Sequence, residues 1–373
     1  MINNVPGKDP TLIVGGGPAG VSCAWKLATF SIPCILIDKA SFPRDKVCGG
    51  ALSERAAEIL ITSGILSNNE LEDLTLKEHR TLSLWNRDEL LRTYISQDAP
   101  VRIISRRKFD SVLLDKAASA GAFIVTGDTV VSVDSSSVTT SSGKNYPCSN
   151  LVGADGCNSL VRRFIAGKRS KGTGMGLEYL IPLTDLNEIP EGLQIHFGYI
   201  PYGYIWVFPD SEKVNIGAGA VGSPASPSNI TEALNGFLEA RGISCDKYQL
   251  QGAPIPSREL DRNLGKGNIY LAGDAAGLVD HVSGEGIGHA VQSGFLVADC
   301  ILSGGNRGTV LNKKDCCISI VRQSMFYRHL LFSPITHGTA IMGLRDNEEF
   351  ARGYWNIISG KESYNEMFRR LLT

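Results

Sequence analysis

Residues 11–20 read TLIVGGGPAG: a short apolar run, then a cluster of glycines, then the start of a helix-forming segment. Thr11 to Val14 have the pattern of a buried strand, Val21 to Phe30 of a helix, and Cys34 to Ile37 of a second strand. In that setting the small residues have separate tasks. Gly15 permits the tight turn, Gly17 lets the backbone approach a pyrophosphate, and Gly20 lets the helix pack on its strand, with Ala19 small enough to keep the approach open. The phosphates would lie at the positive end of the helix. Asp38, followed by Lys39, stands where a ribose diol needs an acceptor. The stretch predicts a Rossmann-like α/β fold and a dinucleotide, with NAD as eligible as FAD.

Context decides such motifs. Gly217, Gly219 and Gly222 (GAGAVG) have the same spacing after an apolar run, yet Pro224 and Pro227 follow at once. A phosphate-facing helix cannot start there, so the run is expected to end a strand.

The chain of 373 residues, 43% hydrophobic and 20% charged, is long enough for two folded domains and gives no sign of disorder. A net charge of -1 argues against nucleic acid or an anionic surface as partner. The basic run Arg162, Arg163, Lys168, Arg169, Lys171 is expected to be a solvated loop. The start, MINNVPGKDP, has no secretory pattern and no run approaches a membrane span, so no transmembrane segment and a cytoplasmic location are expected. The 9 cysteines form no C-x-x-C pair, which suits free thiols in a reducing compartment and no metal.

Ser53 is placed to cap a helix through Ile59 to Ile61, and Thr81–Trp85 with Leu90–Tyr94 predict a hairpin around Asn86, Arg87 and Asp88. Arg106 to Ala120 has helical spacing, with strands at Phe123–Thr126 and Val130–Val133; Ser135 to Ser142 is expected to form a turn or hairpin tip rather than a linker. From Gly174 to Gly219 strands dominate, at Gln194–Tyr199, Tyr204–Phe208 and Val214–Gly217, and Asn229–Arg241 adds a helix. The C-terminal third is mainly helical in pattern.

Two further segments bear on the cofactor. Residues 151–162, LVGADGCNSLVR, and 268–287, NIYLAGDAAGLVDHVSGEGI, each run from a strand into an aspartate with small residues beside it. Asp274 is placed to accept hydrogen bonds from a polyol such as a ribityl chain, whereas Asp155 either does the same or holds its own turn together. Gly284, Gly286 and Ile287 would open a helix whose free N–H groups face the flavin pyrimidine ring. These motifs, in this order, resemble the flavoprotein family that includes p-hydroxybenzoate hydroxylase, tryptophan halogenases and geranylgeranyl reductases. The resemblance covers nearly the whole chain. It implies FAD, with Arg106 of RRKFD as the flavin-contacting arginine (Arg107 competing) and Val130 at the adenine end.

FPRDKVCGGAL at 42–52 and PYGYIWVFP at 201–209 are similar to segments of the geranylgeranyl reductases. The first implies a loop beside the flavin that includes Cys48, Gly49 and Ala51. Tyr204, Trp206 and Phe208 alternate, so on a strand they share a face and would wall a substrate pocket. The chain departs from the reductase pattern at Asp210, where lysine is usual, and at Asp280–His281, where Asn-Pro is usual. His281 near a flavin is a candidate proton-transfer group.

The expected architecture is an FAD-binding domain assembled from 1–50, 97–165 and 265–310, a mostly antiparallel sheet substrate domain from 51–96 and 166–264, and a helical segment 311–373. The resemblance implies hydride transfer from reduced flavin to an apolar or unsaturated substrate in an enclosed pocket. The alternative is a monooxygenase that hydroxylates an aromatic group, including a protein-bound tryptophan during quinone-cofactor maturation. Rab GDP dissociation inhibitors resemble the fold without flavin chemistry, but the intact glycines with Asp38 and Asp274 argue against that class. Electrons would come from NAD(P)H docking transiently or from a donor protein. The apolar run His329–Gly343 is a candidate wall for a prenyl chain.

Overall fold

A six-stranded sheet holds Thr11–Val14 in its interior, between Asn150–Gly153 and Cys34–Asp38, both parallel to it. The computed structural model describes residues 9–166, 173–221, 226–256, 260, 264–305, 317–333 and 335–372. Lys168, Arg169, Lys171, Gly222, Pro224 and Pro334 lie outside the described residues.

The sheet continues through Phe123–Thr126 on one side and through Ile269–Leu271 and Gly265–Lys266 on the other. Its strands come from segments spread between Thr11 and Leu271, and the parallel register brings their C-terminal ends to one edge. That edge is where ligands bind in open α/β sheets. Thr11–Val14 and Cys34–Asp38 are buried throughout, as parallel strands covered on both faces must be. The helices Pro18–Thr29 and Ile287–Leu302 cover one face and meet at Trp25 and Phe295, whose rings cross edge to face at 6.0 Å.

A seven-stranded sheet forms the second layer, in the order Gln251–Pro256, Thr173–Pro182, Lys213–Ala220, Gly203–Pro209, Leu193–Phe197, Thr81–Asn86, Glu89–Ile95. All pairs are antiparallel except Leu193–Phe197 with Thr81–Asn86. The helix Pro227–Glu239 packs Ile230, Leu234, Phe237 and Leu238 on one face. Four C-terminal helices, Cys317–Phe332, His337–Asp346, Glu348–Ser359 and Tyr364–Leu372, pack on the other, where Trp355 is wholly buried. The GAGAVG glycines 217 and 219 lie in Lys213–Ala220, a strand as expected.

The serine-rich stretch departs in part from expectation: its ends are hairpin turns, but its middle is a strand. Ser137–Thr140 is the middle strand of a small sheet with Val130–Val133 and Asn145–Pro147. Asp134 makes the turn before it, accepting from the backbone N–H of Ser136 and Ser137 at 2.7 and 2.8 Å, and Val138 is buried beneath. Among the described residues no His, Cys, Asp or Glu cluster is placed to hold a metal ion, and no helix is long and apolar enough to cross a membrane.

Candidate cofactor and substrate site

The glycine elbow is set by close approach. Gly15 has φ +108°, and a Cβ there would overlap the carbonyl of Ala154 on the neighbouring strand end. A Cβ on Gly20 would overlap the carbonyl of Gly15, so this glycine serves helix packing. The helix begins at Pro18 with Gly17 as N-cap, no side-chain cap and no acid in its first turn. Its first N–H groups therefore lack a side-chain partner, the arrangement that receives an anion. Asp38 is held rigid: one carboxylate oxygen accepts from Gly16 N at 2.6 Å, the other from Ala40 N at 2.7 Å.

Two arginines converge beside the elbow on one buried carboxylate. Arg106 donates to Asp110 through Nε and Nη2 at 2.9 and 2.8 Å, and Arg44 reaches the same carboxylate at 3.1 Å. Arg106 also meets the Cys48 thiol. Arg107 instead pairs with exposed Asp45 at 2.9 Å and does not line the cavity.

Asp155 performs the turn-holding task. Its Oδ2 accepts from Leu160 N at 2.7 Å and Val161 N at 3.3 Å, starting the helix Leu160–Ala166. Its Oδ1 is buried with no partner, and burial raises its pKa. Asp274 lies across the cavity in the short turn Gly273–Ala276.

At the far end the helix Ile287–Leu302 starts after Gly286, again with no side-chain cap and no acid in its first turn. Facing it is Gly203–Pro209, where Tyr204, Trp206 and Phe208 share the half-buried face while Ile205, Val207 and Pro209 are buried on the other. The polar tips of the wall are used within the protein. Tyr204 donates to Ser283 O at 2.6 Å and Trp206 to Asn215 Oδ1 at 2.8 Å. Asp210 accepts from Glu212 N and Lys213 N at 2.8 Å each, so at the position where lysine was expected it forms the turn to the next strand.

Residues 280–289 carry an unusual density of buried titratable groups. Asp280 accepts from Tyr364 Oη at 2.7 Å and from Val282 N and Ser283 N at 2.8 Å, and burial still raises its pKa. Glu285 accepts from Ser53 Oγ, and burial raises it as well. His289 Nε2 lies 4.0 Å from Glu285 with no hydrogen-bond partner, and burial pushes the ring down to about 4. His281 is 3% exposed, its Nδ1 is 2.9 Å from Arg328 Nη1, and burial and that guanidinium push it to about 4. It is therefore neutral at pH 7, with its Nε2 buried.

One cavity of about 750 Å³ joins these parts. Of the residues expected at the cofactor and the aromatic wall, all but Gly20 and Arg107 line it: Gly15, Gly17, Ala19, Asp38, Lys39, Cys48, Gly49, Ala51, Arg106, Val130, Asp155, Asp274, Tyr204, Trp206, Phe208, His281, Gly284, Gly286 and Ile287; of the described residues in the run His329–Gly343, Phe332 alone does. Arg44, Glu178, Ser53 and Glu285 also line it and were not singled out as site residues. Glu285 stood inside the GEGI motif, but its burial comes from tertiary contacts that no local pattern reveals. The residues fit an extended dinucleotide: two uncapped helix starts, an orphaned carboxylate oxygen on Asp155, and a volume in the range of cofactor pockets.

Fold and cavity together define a dinucleotide-binding class of protein with an apolar chamber at one end of the cavity. Residues 8–187 match the FAD binding domain family and residues 175–251 the geranylgeranyl reductase catalytic domain. An uncharacterised protein of Methanosarcina barkeri is 31% identical over 304 residues, covering 79% of this chain and 75% of that protein. A menaquinone reductase of Mycolicibacterium smegmatis is 29% identical over 318 residues, covering 79% and 76%. A geranylgeranyl bacteriochlorophyll reductase-like structure from Thermoplasma acidophilum aligns over 97% of this chain and 98% of its own, with TM-score 0.74 and 20% identity. The chain belongs to the geranylgeranyl reductase-like branch of the FAD-dependent oxidoreductases.

Proposed function

We propose that the protein reduces a carbon–carbon double bond of an apolar, prenyl-type chain held in the chamber beyond Gly284. FAD, when bound and reduced by a separate donor, would supply the hydride. The reading is supported by one observation above all: the cavity that begins at the glycine elbow ends against Ile195, Tyr204, Trp206, Phe332 and Ile358, an apolar lining suited to a hydrocarbon.

The chain's own residues divide the remaining work. Gly17 and Ala19 present backbone amides to phosphate, Asp38 accepts from the ribose, and Arg44 and Arg106 hold positive charge alongside. The first N–H groups of Ile287–Leu302 stabilise negative charge at the cofactor's ring. Tyr204, Trp206 and Phe208 exclude water and orient the substrate. Glu285, two residues before that helix start, is buried in a way that favours its protonated form and is the proton-holding group. Electrons enter from a separate donor, NAD(P)H or a reduced protein.

Anaerobic photoreduction of the purified holoenzyme tests this. Mixing with a geranylgeranyl lipid should restore the oxidised spectrum and add one hydrogen molecule per double bond. Reoxidation by oxygen coupled to a hydroxylated product would replace this reading with the monooxygenase one.

A further inference from the structure

Residues 280–285 use every backbone N–H within the protein. Asp280 N donates to Glu285 O at 2.9 Å and Gly284 N to Asp280 O at 3.0 Å, while Val282 N and Ser283 N share Asp280 Oδ1. His281 N reaches Ser324 Oγ at 2.9 Å and Glu285 N reaches Ser283 Oγ at 3.2 Å. The next N–H with a partner is that of Ala290, on Gly286 O at 2.8 Å. The N–H groups of Gly286, Ile287, Gly288 and His289 therefore have none among the described residues, and Gly286 and Ile287 line the cavity. A loop closed on itself thus ends in open donors.

Two phenols from remote elements hold that loop at different atoms. Tyr204, on the strand Gly203–Pro209, donates to Ser283 O at 2.6 Å, and Tyr364, at the start of the helix Tyr364–Leu372, donates to Asp280 Oδ1 at 2.7 Å. Gly284, next to Ser283, has φ +73°, and a Cβ there would overlap the Tyr204 hydroxyl, so the contact requires glycine. The Tyr364 ring is itself stacked on Tyr327, with centroids 5.6 Å apart. Burial raises the pKa of both phenols, so each remains a donor.

We propose that Tyr204 and Tyr364 are positioning residues: their hydroxyls hold residues 280–286 from two sides and keep the open N–H groups of Gly286 and Ile287 fixed where they stabilise the reduced cofactor. Donors held in place meet the charge that develops on reduction without having to reorganise. Tyr204 then has a task apart from walling the chamber. The proposal rests on the placement of the cofactor in the reading above and not on its substrate.

The test is the midpoint potential of bound FAD, measured by dye-equilibrated anaerobic reduction of the holoenzyme without substrate. Tyr204→Phe and Tyr364→Phe each keep the ring and remove one hydrogen bond. Each should weaken the binding of reduced relative to oxidised FAD by about threefold to tenfold, the scale of one hydrogen bond. Tenfold is a fall of about 30 mV for a two-electron couple. Tyr199→Phe, which removes the hydrogen bond to Asp88 and does not touch the cavity wall, should leave the potential unchanged. Ratios within about twofold of the wild type in both variants, or an equal fall in Tyr199→Phe, overturn the positioning role and leave the apolar-chain reading standing. A fall in one variant alone overturns the two-sided hold. Because no substrate is present, a fall in both supports the hold even where prenyl lipids prove not to be reduced.

Discussion

The indole N–H of Trp206 donates to Asn215 Oδ1 at 2.8 Å, and through that bond the aromatic wall is fixed to the cofactor side of the cavity. Asn215 Nδ2 donates to the Cys48 carbonyl at 3.3 Å and to Glu178 Oε2 at 3.1 Å, while Glu178 Oε1 accepts from Cys48 N at 3.1 Å. The loop around Cys48 and the strand carrying Trp206 therefore share one hydrogen-bonded hub on the intervening sheet.

Asn215→Leu removes that hub. It leaves a tryptophan N–H and part of a buried carboxylate without partners, each costing about 1–3 kcal/mol. A loss of about 2–4 kcal/mol in urea unfolding is expected. A change below about 0.5 kcal/mol, the level of an ordinary surface substitution, would show that the two elements are held by packing alone.

Gly217 stands opposite Trp206 in the strand pairing, and a Cβ there would overlap the indole ring. Gly217→Ala should push the indole toward the chamber and destabilise the protein by about 1–3 kcal/mol, as overpacking does. Shifted tryptophan fluorescence with weakened binding of a prenyl ligand checks the displacement. An unshifted spectrum would mean that the backbone yields instead.

The same pair shows what the sequence disclosed and what it withheld. The proline pattern identified GAGAVG as strand, but not why it is glycine-rich, because the cause is a side chain on the neighbouring strand. The glycine elbow was legible because all its requirements are local: an apolar run, a turn and a helix start. The strand at Ser137–Thr140 was not, since serines and threonines serve turns and exposed strands alike and Asp134 decides between them. Asp155 satisfies the turn-holding alternative that its position allowed.

Asp38→Ala should weaken FAD binding by about tenfold to a hundredfold, given two lost backbone hydrogen bonds at the elbow and the lost ribose acceptor. Fluorescence quenching during titration of the apoprotein with FAD measures it. Asp38→Asn keeps one acceptor oxygen and should fall between. Wild-type affinity in the alanine variant would assign ribose recognition elsewhere.

Burial pushes His196, His281 and His289 to about 4. Each is neutral when folded and takes up a proton on unfolding below its ordinary value of about 6.5. Between about pH 6.5 and 4 the unfolded chain therefore binds more protons, and stability falls as pH is lowered. The depression corresponds to about 3 kcal/mol per ring. Asp280 and Glu285, raised by burial, act in the opposite sense, so the informative quantity is a difference between variants. His196→Gln, remote from residues 280–289, should flatten the loss between pH 6.5 and 4.5 by about 2–3 kcal/mol in urea unfolding. Parallel pH curves for the two proteins would mean that His196 binds its proton equally well folded and unfolded.

Glu285→Gln addresses the proton. The carboxyl lines the cavity, accepts from Ser53 and faces the partnerless Nε2 of His289. Arg55, Asp280 and Tyr364 also act on this part of the cluster. Glutamine keeps the size and the hydrogen bond from Ser53 but cannot release a proton. Substrate-dependent reoxidation after anaerobic photoreduction should slow by about 10²–10⁴-fold, the range of a lost general acid, with substrate affinity little changed. The pH dependence separates this from a packing defect. If Glu285 is the donor, the wild-type rate falls as pH rises through its elevated pKa, and the variant loses that limb. A slower variant that keeps the wild-type pH profile makes Glu285 a positioning residue for His289, and an unchanged rate places the proton source outside the cluster.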